Sequence, residues 1–144
     1  MRFITDSEKE TYEIGRSLGA RAAAGEIWCL DGDLGTGKTV FTKGFAAGLG
    51  ITEPVVSPTF TIIHEYYDGR LPLYHFDVYR IEDPDEMLEL GYEEYFFGEG
   101  VCLIEWAVQV EDVIPPEAHH VKIEKDLGRG DTCRIITIDT EVDI

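Results

Sequence analysis

The sequence predicts an α/β domain: a mixed β-sheet flanked by helices, with a C-terminal β-hairpin. Three observations carry this. The apolar, strand-like run Ile27–Asp31 passes into a glycine-rich stretch that opens a helix. The elements follow the order helix, strand, helix, hairpin, helix, strand, hairpin, which suits one sheet with helices packed on it. Near the end, His120–Glu124 and Thr132–Asp139 read as strands joined by the glycine-containing turn Asp126–Asp131.

Taken in order, Thr5-Asp6-Ser7-Glu8 reads as a capping box, and Tyr12, Ile14, Leu18 and Ala22 continue at roughly helical spacing to Gly25. After the strand at 27–31, a helix is expected from Val40 to Leu49, with Gly50 as its stop. Thr61–Tyr67 is rich in β-branched and aromatic residues, Asp68-Gly69-Arg70 is a turn, and Leu71–Tyr79 is the return strand. Asp83-Pro84-Asp85-Glu86 starts a helix that runs to about Leu90, with Asp as the cap and Pro at the first helical position. Gly91–Phe97 is a short amphipathic segment, and Val101–Ile104 is a buried strand ending in Glu105-Trp106. No repeat or linker interrupts residues 1–144, so a single domain is expected.

Composition narrows the function. Hydrophobic residues make up 44%, enough for a core rather than a disordered chain. The net charge of −17, with 12 Lys plus Arg against 29 Asp plus Glu, argues against a free-standing nucleic-acid binder. Cys29, Cys102 and Cys133 are odd in number and fit no metal spacing. The N-terminus is not a signal peptide and no apolar run reaches transmembrane length, so a reduced, cytoplasmic protein without membrane contact is expected.

The chemistry centres on Gly32–Thr39, which fits G-x-x-x-x-G-K-[ST], the phosphate-binding P-loop. Gly35, Thr36, Gly37, Lys38, Thr39 and Val40 are the expected nucleotide contacts: backbone N–H groups wrap the phosphates and Lys38 brings a charge to them. The Thr39 hydroxyl can ligate Mg²⁺, and the helix N-terminus faces the anion. Hydrolysis needs a second acid and a group that places the nucleophile. Glu105, ending an apolar strand, is the expected metal acid; Asp77 is expected to orient the attacking water or hold the metal's outer shell. For each, the alternative is a solvent-facing strand carboxylate. Thr59, after Ser57-Pro58, sits where P-loop proteins sense the γ-phosphate, although spacing alone favours a plain turn. Trp106 is a nucleotide cover, a contact surface or a core residue.

Arg80 reads first as an ion-pair partner of Glu82 or Asp83, and His64 and His75 as strand surface residues. His119-His120 carries no metal pattern. No [NT]-K-x-D guanine element is present, which favours adenine, hence ATP.

Gly32–Thr39, Ser57-Pro58-Thr59-Phe60, His75-Phe76-Asp77-Val78-Tyr79-Arg80 and Ile104-Glu105-Trp106, in this order and spacing, resemble the bacterial ATPase family of tRNA threonylcarbamoyladenosine biosynthesis, TsaE or YjeE. The resemblance covers nearly the whole chain. It implies a small P-loop fold that binds ATP and Mg²⁺ and hydrolyses ATP slowly by itself. It also implies work with two paralogous partner proteins that modify adenosine 37 of tRNA, so that tRNA is met only indirectly and DNA not at all. In this pattern Lys38 and Thr39 are the P-loop pair, Thr39 and Glu105 the Mg²⁺ ligands, Asp77 an acid needed for activity, Thr59 a switch-like element and Trp106 the residue after the acid. Adenine contacts are implied near the first helix start and the last hairpin. The runner-up is a P-loop small-molecule kinase, which needs an arginine-bearing lid; Arg70 and Arg80 are the only arginines between the P-loop helix and Val101.

Overall fold

The computed structural model describes residues 1–33, 35–56, 62–126 and 128–139. Its strands are β1 (Arg2–Thr5), β2 (Ile27–Asp31), β3 (Ile63–Tyr66), β4 (Leu73–Asp77), β5 (Val101–Glu105), β6 (His119–Lys125) and β7 (Arg134–Ile138). Its α-helices are α1 (Glu8–Arg21), α2 (Lys38–Gly48), α3 (Asp85–Glu89) and α4 (Tyr92–Phe96), and Ala107–Val113 forms a 3-10 segment. The strands make one seven-stranded sheet in the order β1-β7-β6-β2-β5-β4-β3. The inner pairs β6–β2, β2–β5 and β5–β4 are parallel, and β1–β7, β7–β6 and β4–β3 are antiparallel. The mixed sheet and closing hairpin expected from the sequence are both present.

The inner strands β2 and β5 are apolar up to their last residues, Asp31 and Glu105, because both sheet faces are covered. Side chains alternate across the pleat. Trp28, Leu30 and Leu103 pack with Leu18 of α1, with Phe41 and Phe45 of α2 and with Leu49 at its C-cap. Ile27, Cys29, Phe76 and Ile104 pack on the other side with Met87, Phe96 and Val110. Burial pushes the Cys29 and Cys102 thiols up to about 12, so both behave as small core residues.

Helices α1 and α2 touch backbone to backbone. A Cβ on Gly19 would lie 2.0 Å from the Phe45 carbonyl oxygen, and one on Gly44 would lie 2.1 Å from that of Tyr12. The C-terminal end of α1 is capped from a distance: Arg70 Nη2 donates to the carbonyls of Gly19, Ala20 and Ala22 at 2.8, 2.9 and 2.8 Å.

The structure corrects several local expectations. Ser7, not Thr5, caps α1, its Oγ accepting from the Glu10 N–H at 3.2 Å. Thr5 instead ends β1, a strand the sequence pattern does not reveal, and its hydroxyl pairs with that of Thr11 at 2.8 Å. The 3-10 segment after Trp106 is equally unforeseen. Gly50 does end α2 as expected, with φ of +83°.

Candidate functional site

The P-loop leaves the carboxyl end of β2 and enters α2 through Gly37, whose φ of +102° side chains rarely adopt. The carboxyl ends of β5 and β4 lie beside it in register, with Leu30 opposite Glu105 and Glu105 opposite Asp77. One pocket collects Gly35, Thr36, Gly37, Lys38, Thr39, Val40, Asp77 and Glu105. Residues far apart in the sequence thus meet where an open α/β sheet binds ligands, beyond the carboxyl ends of its strands.

Lys38 is buried, and its Nζ donates to the carbonyls of Gly32 and Asp33, the latter at 2.9 Å. The ammonium also sits 4.1 Å from the centre of the Trp106 ring. Burial holds its pKa below the usual lysine range, opposed by the charges of Glu105, Asp77, Asp33 and Asp31. Trp106 is only partly buried, and its ring packs at 4.7 Å on Tyr79. It has φ of +62°, the one positive φ outside glycine among the described residues. Such a conformation costs about 1–2 kcal/mol and persists only where surroundings impose it. The Trp106 ring packs partly against the core on the far face of the sheet and partly beside the P-loop lysine, and it lines a neighbouring cleft rather than the pocket that holds Lys38, Asp77 and Glu105.

Glu105 is 3% exposed, and its Oε2 lies 2.6 Å from His75 Nε2. His75 is itself 1% exposed, which overturns its expected place on the strand surface. The reason is the sheet order: β4 is an inner strand, and its face bearing Leu73, His75 and Asp77 is the one α2 covers. Asp77 is half-buried. Burial pushes its carboxyl above the usual range, while the Tyr79 N–H, 3.1 Å from Oδ1, pulls it back. A carboxylate so raised is a better proton acceptor near neutral pH.

The pocket's other wall is Glu8, Thr11, Thr132 and Arg134, none singled out from the sequence. Arg134 Nε donates to the Thr36 carbonyl at 2.7 Å, and Nη2 reaches that of Gly35 at 3.5 Å. No local motif marks these residues; the pairing of β1 with β7 brings them together. The regions named from the resemblance, the first helix start and last hairpin, are where they lie.

Thr59 lies outside the described residues. Arg80 is exposed, and no salt bridge of it occurs among them, so the expected pairing with Glu82 or Asp83 is not seen. Among the described residues there is no cluster of three or more His, Cys, Asp or Glu side chains that could hold a metal ion. The all-oxygen pair Thr39 and Glu105 suits Mg²⁺, which takes few protein ligands and completes its shell with phosphates and water. No described helix is long and apolar enough to cross a membrane.

The family model for threonylcarbamoyl adenosine biosynthesis protein TsaE matches residues 5–133. The chain belongs to the TsaE family. A Bacillus subtilis relative, tRNA threonylcarbamoyladenosine biosynthesis protein TsaE, is 53% identical over 137 residues, 95% of this chain and 84% of its own length. A Rickettsia felis protein of the same name is 33% identical over 139 residues, covering 96% and 81%. The crystal structure of Bacillus subtilis YdiB superposes with a TM-score of 0.79 at 46% identity, covering 96% of this chain and 83% of that one. The TsaE membership and the α/β fold expected from the sequence are thereby established.

Proposed function

We propose that this protein is the ATP-binding, slowly ATP-hydrolysing subunit of the bacterial machinery that forms threonylcarbamoyladenosine at position 37 of tRNA, working in the cytoplasm with two partner proteins. The observation that carries the ATP reading is the meeting of Lys38, Thr39, Asp77 and Glu105 in one pocket. Backbone N–H groups of the P-loop and the start of α2 receive the phosphates, and Lys38 leaves its carbonyl partners to bind them. Trp106 keeps the ammonium over the pocket as it does so. Thr39 and Glu105 would hold Mg²⁺, which would supply charge neutralisation for the bound phosphates. Asp77 orients the attacking water and accepts its proton. Glu8, Thr11, Thr132 and Arg134 line the side open to the nucleoside.

Membership of the family supports the tRNA pathway, and the net charge of −17 favours tRNA being held by a partner. The kinase alternative loses ground: Arg70 is engaged at the end of α1, and Arg80 does not line the pocket. The test is a reaction reconstituted from purified components. ATP hydrolysis by the protein alone should be slow, tRNA modification should require the two partners, and tRNA should not bind tightly to this protein alone at low salt. Full tRNA modification with no other protein present would overturn the partner reading; tight tRNA binding by this protein alone would overturn the indirect role.

A further inference from the structure

We propose that His75 is a positioning residue for Glu105: its Nε2–H anchors carboxylate oxygen Oε2 and leaves Oε1 turned to the pocket for the cation. The inference rests on the metal reading of Glu105 given above. Three observations carry it. First, the Nε2–Oε2 distance is 2.6 Å with both side chains almost wholly buried, 1% and 4% exposed, so water does not compete for this bond. Second, among the described residues no other hydrogen bond reaches the Glu105 carboxylate, although the residue lines the pocket. The carboxylate thus has one fixed oxygen and one left for a ligand. Third, His75 Nδ1 is buried and has no partner among the described residues. A neutral imidazole with its proton on Nε2 leaves only a bare acceptor unsatisfied. The other tautomer would bury an orphan N–H and set the Nε2 lone pair against the carboxylate. The environment therefore selects the tautomer that donates to Glu105.

The placement follows from the sheet. His75 and Asp77 alternate on β4, and Glu105 ends the neighbouring parallel strand β5 on the same face. A glutamate has three side-chain torsions, and one buried anchor removes most of their freedom before any cation arrives. Partners behind metal-binding carboxylates have this effect elsewhere, and losing one lowers metal affinity about 10–100-fold.

The experiment is a Mg²⁺ titration of ATP binding, followed calorimetrically, with a parallel titration in EDTA, on the parent, Glu105→Gln, His75→Leu and His75→Gln. His75→Leu should need about 10–100-fold more Mg²⁺ to reach the tight state, with affinity in EDTA unchanged. His75→Gln, whose amide can donate from the place of Nε2, should recover most of the loss. A merely structural histidine would not give Mg²⁺-specific loss or rescue by an amide. Unchanged Mg²⁺ dependence in His75→Leu would overturn the proposal. If Glu105→Gln keeps the parent's Mg²⁺ dependence, the metal reading itself fails and takes this proposal with it. Should the leucine variant not fold, side-chain ¹⁵N spectra of the histidine-labelled parent decide. His75 should be protonated at Nε2 and bare at Nδ1 with Mg²⁺ and ATP bound; the reverse would overturn the assignment.

Discussion

The pocket has two walls built in different ways. The phosphate wall is local: residues 35–40 are consecutive, and Asp77 and Glu105 need only the register of adjacent parallel strands to join them. The opposite wall is assembled from the two ends of the chain, Glu8 and Thr11 on α1 and Thr132 and Arg134 at β7. It exists because β1 pairs with β7, which places Thr5 opposite Arg134. In the function proposed above, the first wall carries the chemistry. The second carries shape, and its residues act partly by holding the first, as Arg134 does through the carbonyls of Thr36 and Gly35.

The largest expected effect strikes the phosphate wall directly. Lys38→Ala should weaken ATP binding by about 2–4 kcal/mol, the worth of a charge-assisted phosphate contact. Isothermal titration of a folded variant that binds ATP like the parent would sink the phosphate role. A smaller effect comes from the seam between the walls. Helix α1 carries Glu8 and Thr11, α2 begins at Lys38, and the two helices meet at Gly19 and Gly44. Gly19→Ala puts a methyl group against the Phe45 carbonyl and should lower stability by about 1–3 kcal/mol. Urea unfolding at unchanged midpoint would show that the helices can separate freely, and would weaken the claim that the seam ties the walls together. The smallest effect lies at the far wall: Arg134→Ala should lower ATP affinity about tenfold, near 1.4 kcal/mol. An affinity loss as large as that of Lys38→Ala would mean that the two walls do not differ in kind.

This contrast also sets what was legible in the sequence. Much that depends on neighbours in the chain was readable: the P-loop, its strand and helix, the stop at Gly50, and Glu105 at a strand end, though not the cap of α1, which shifts from Thr5 to Ser7 because Thr5 is drawn into β1. Asp77 was readable because alternation put it on one face with His75. What depends on remote pairing was not. Strand β1 is four residues long and half-exposed, and it is defined by its partner β7 rather than by its own pattern. Arg70 carries no mark of its bond to α1, fifty-one residues from Gly19. His75 was misplaced because period-2 alternation gives a face but not what covers it, and α2 covers this one. Trp106 could be read as core or as contact surface, and the structure gives it a share of both, against the core cluster and beside Lys38.

In the proposed function Lys38 serves the binding of ATP and Asp77 its hydrolysis, within one pocket. Asp77→Asn tests it most directly, because the amide keeps the shape and removes the proton acceptor. ATP affinity and ATP turnover should both be measured in the presence of the partner proteins. Turnover should fall by about 100-fold or more with ATP affinity nearly unchanged. Turnover equal to that of the parent would contradict it.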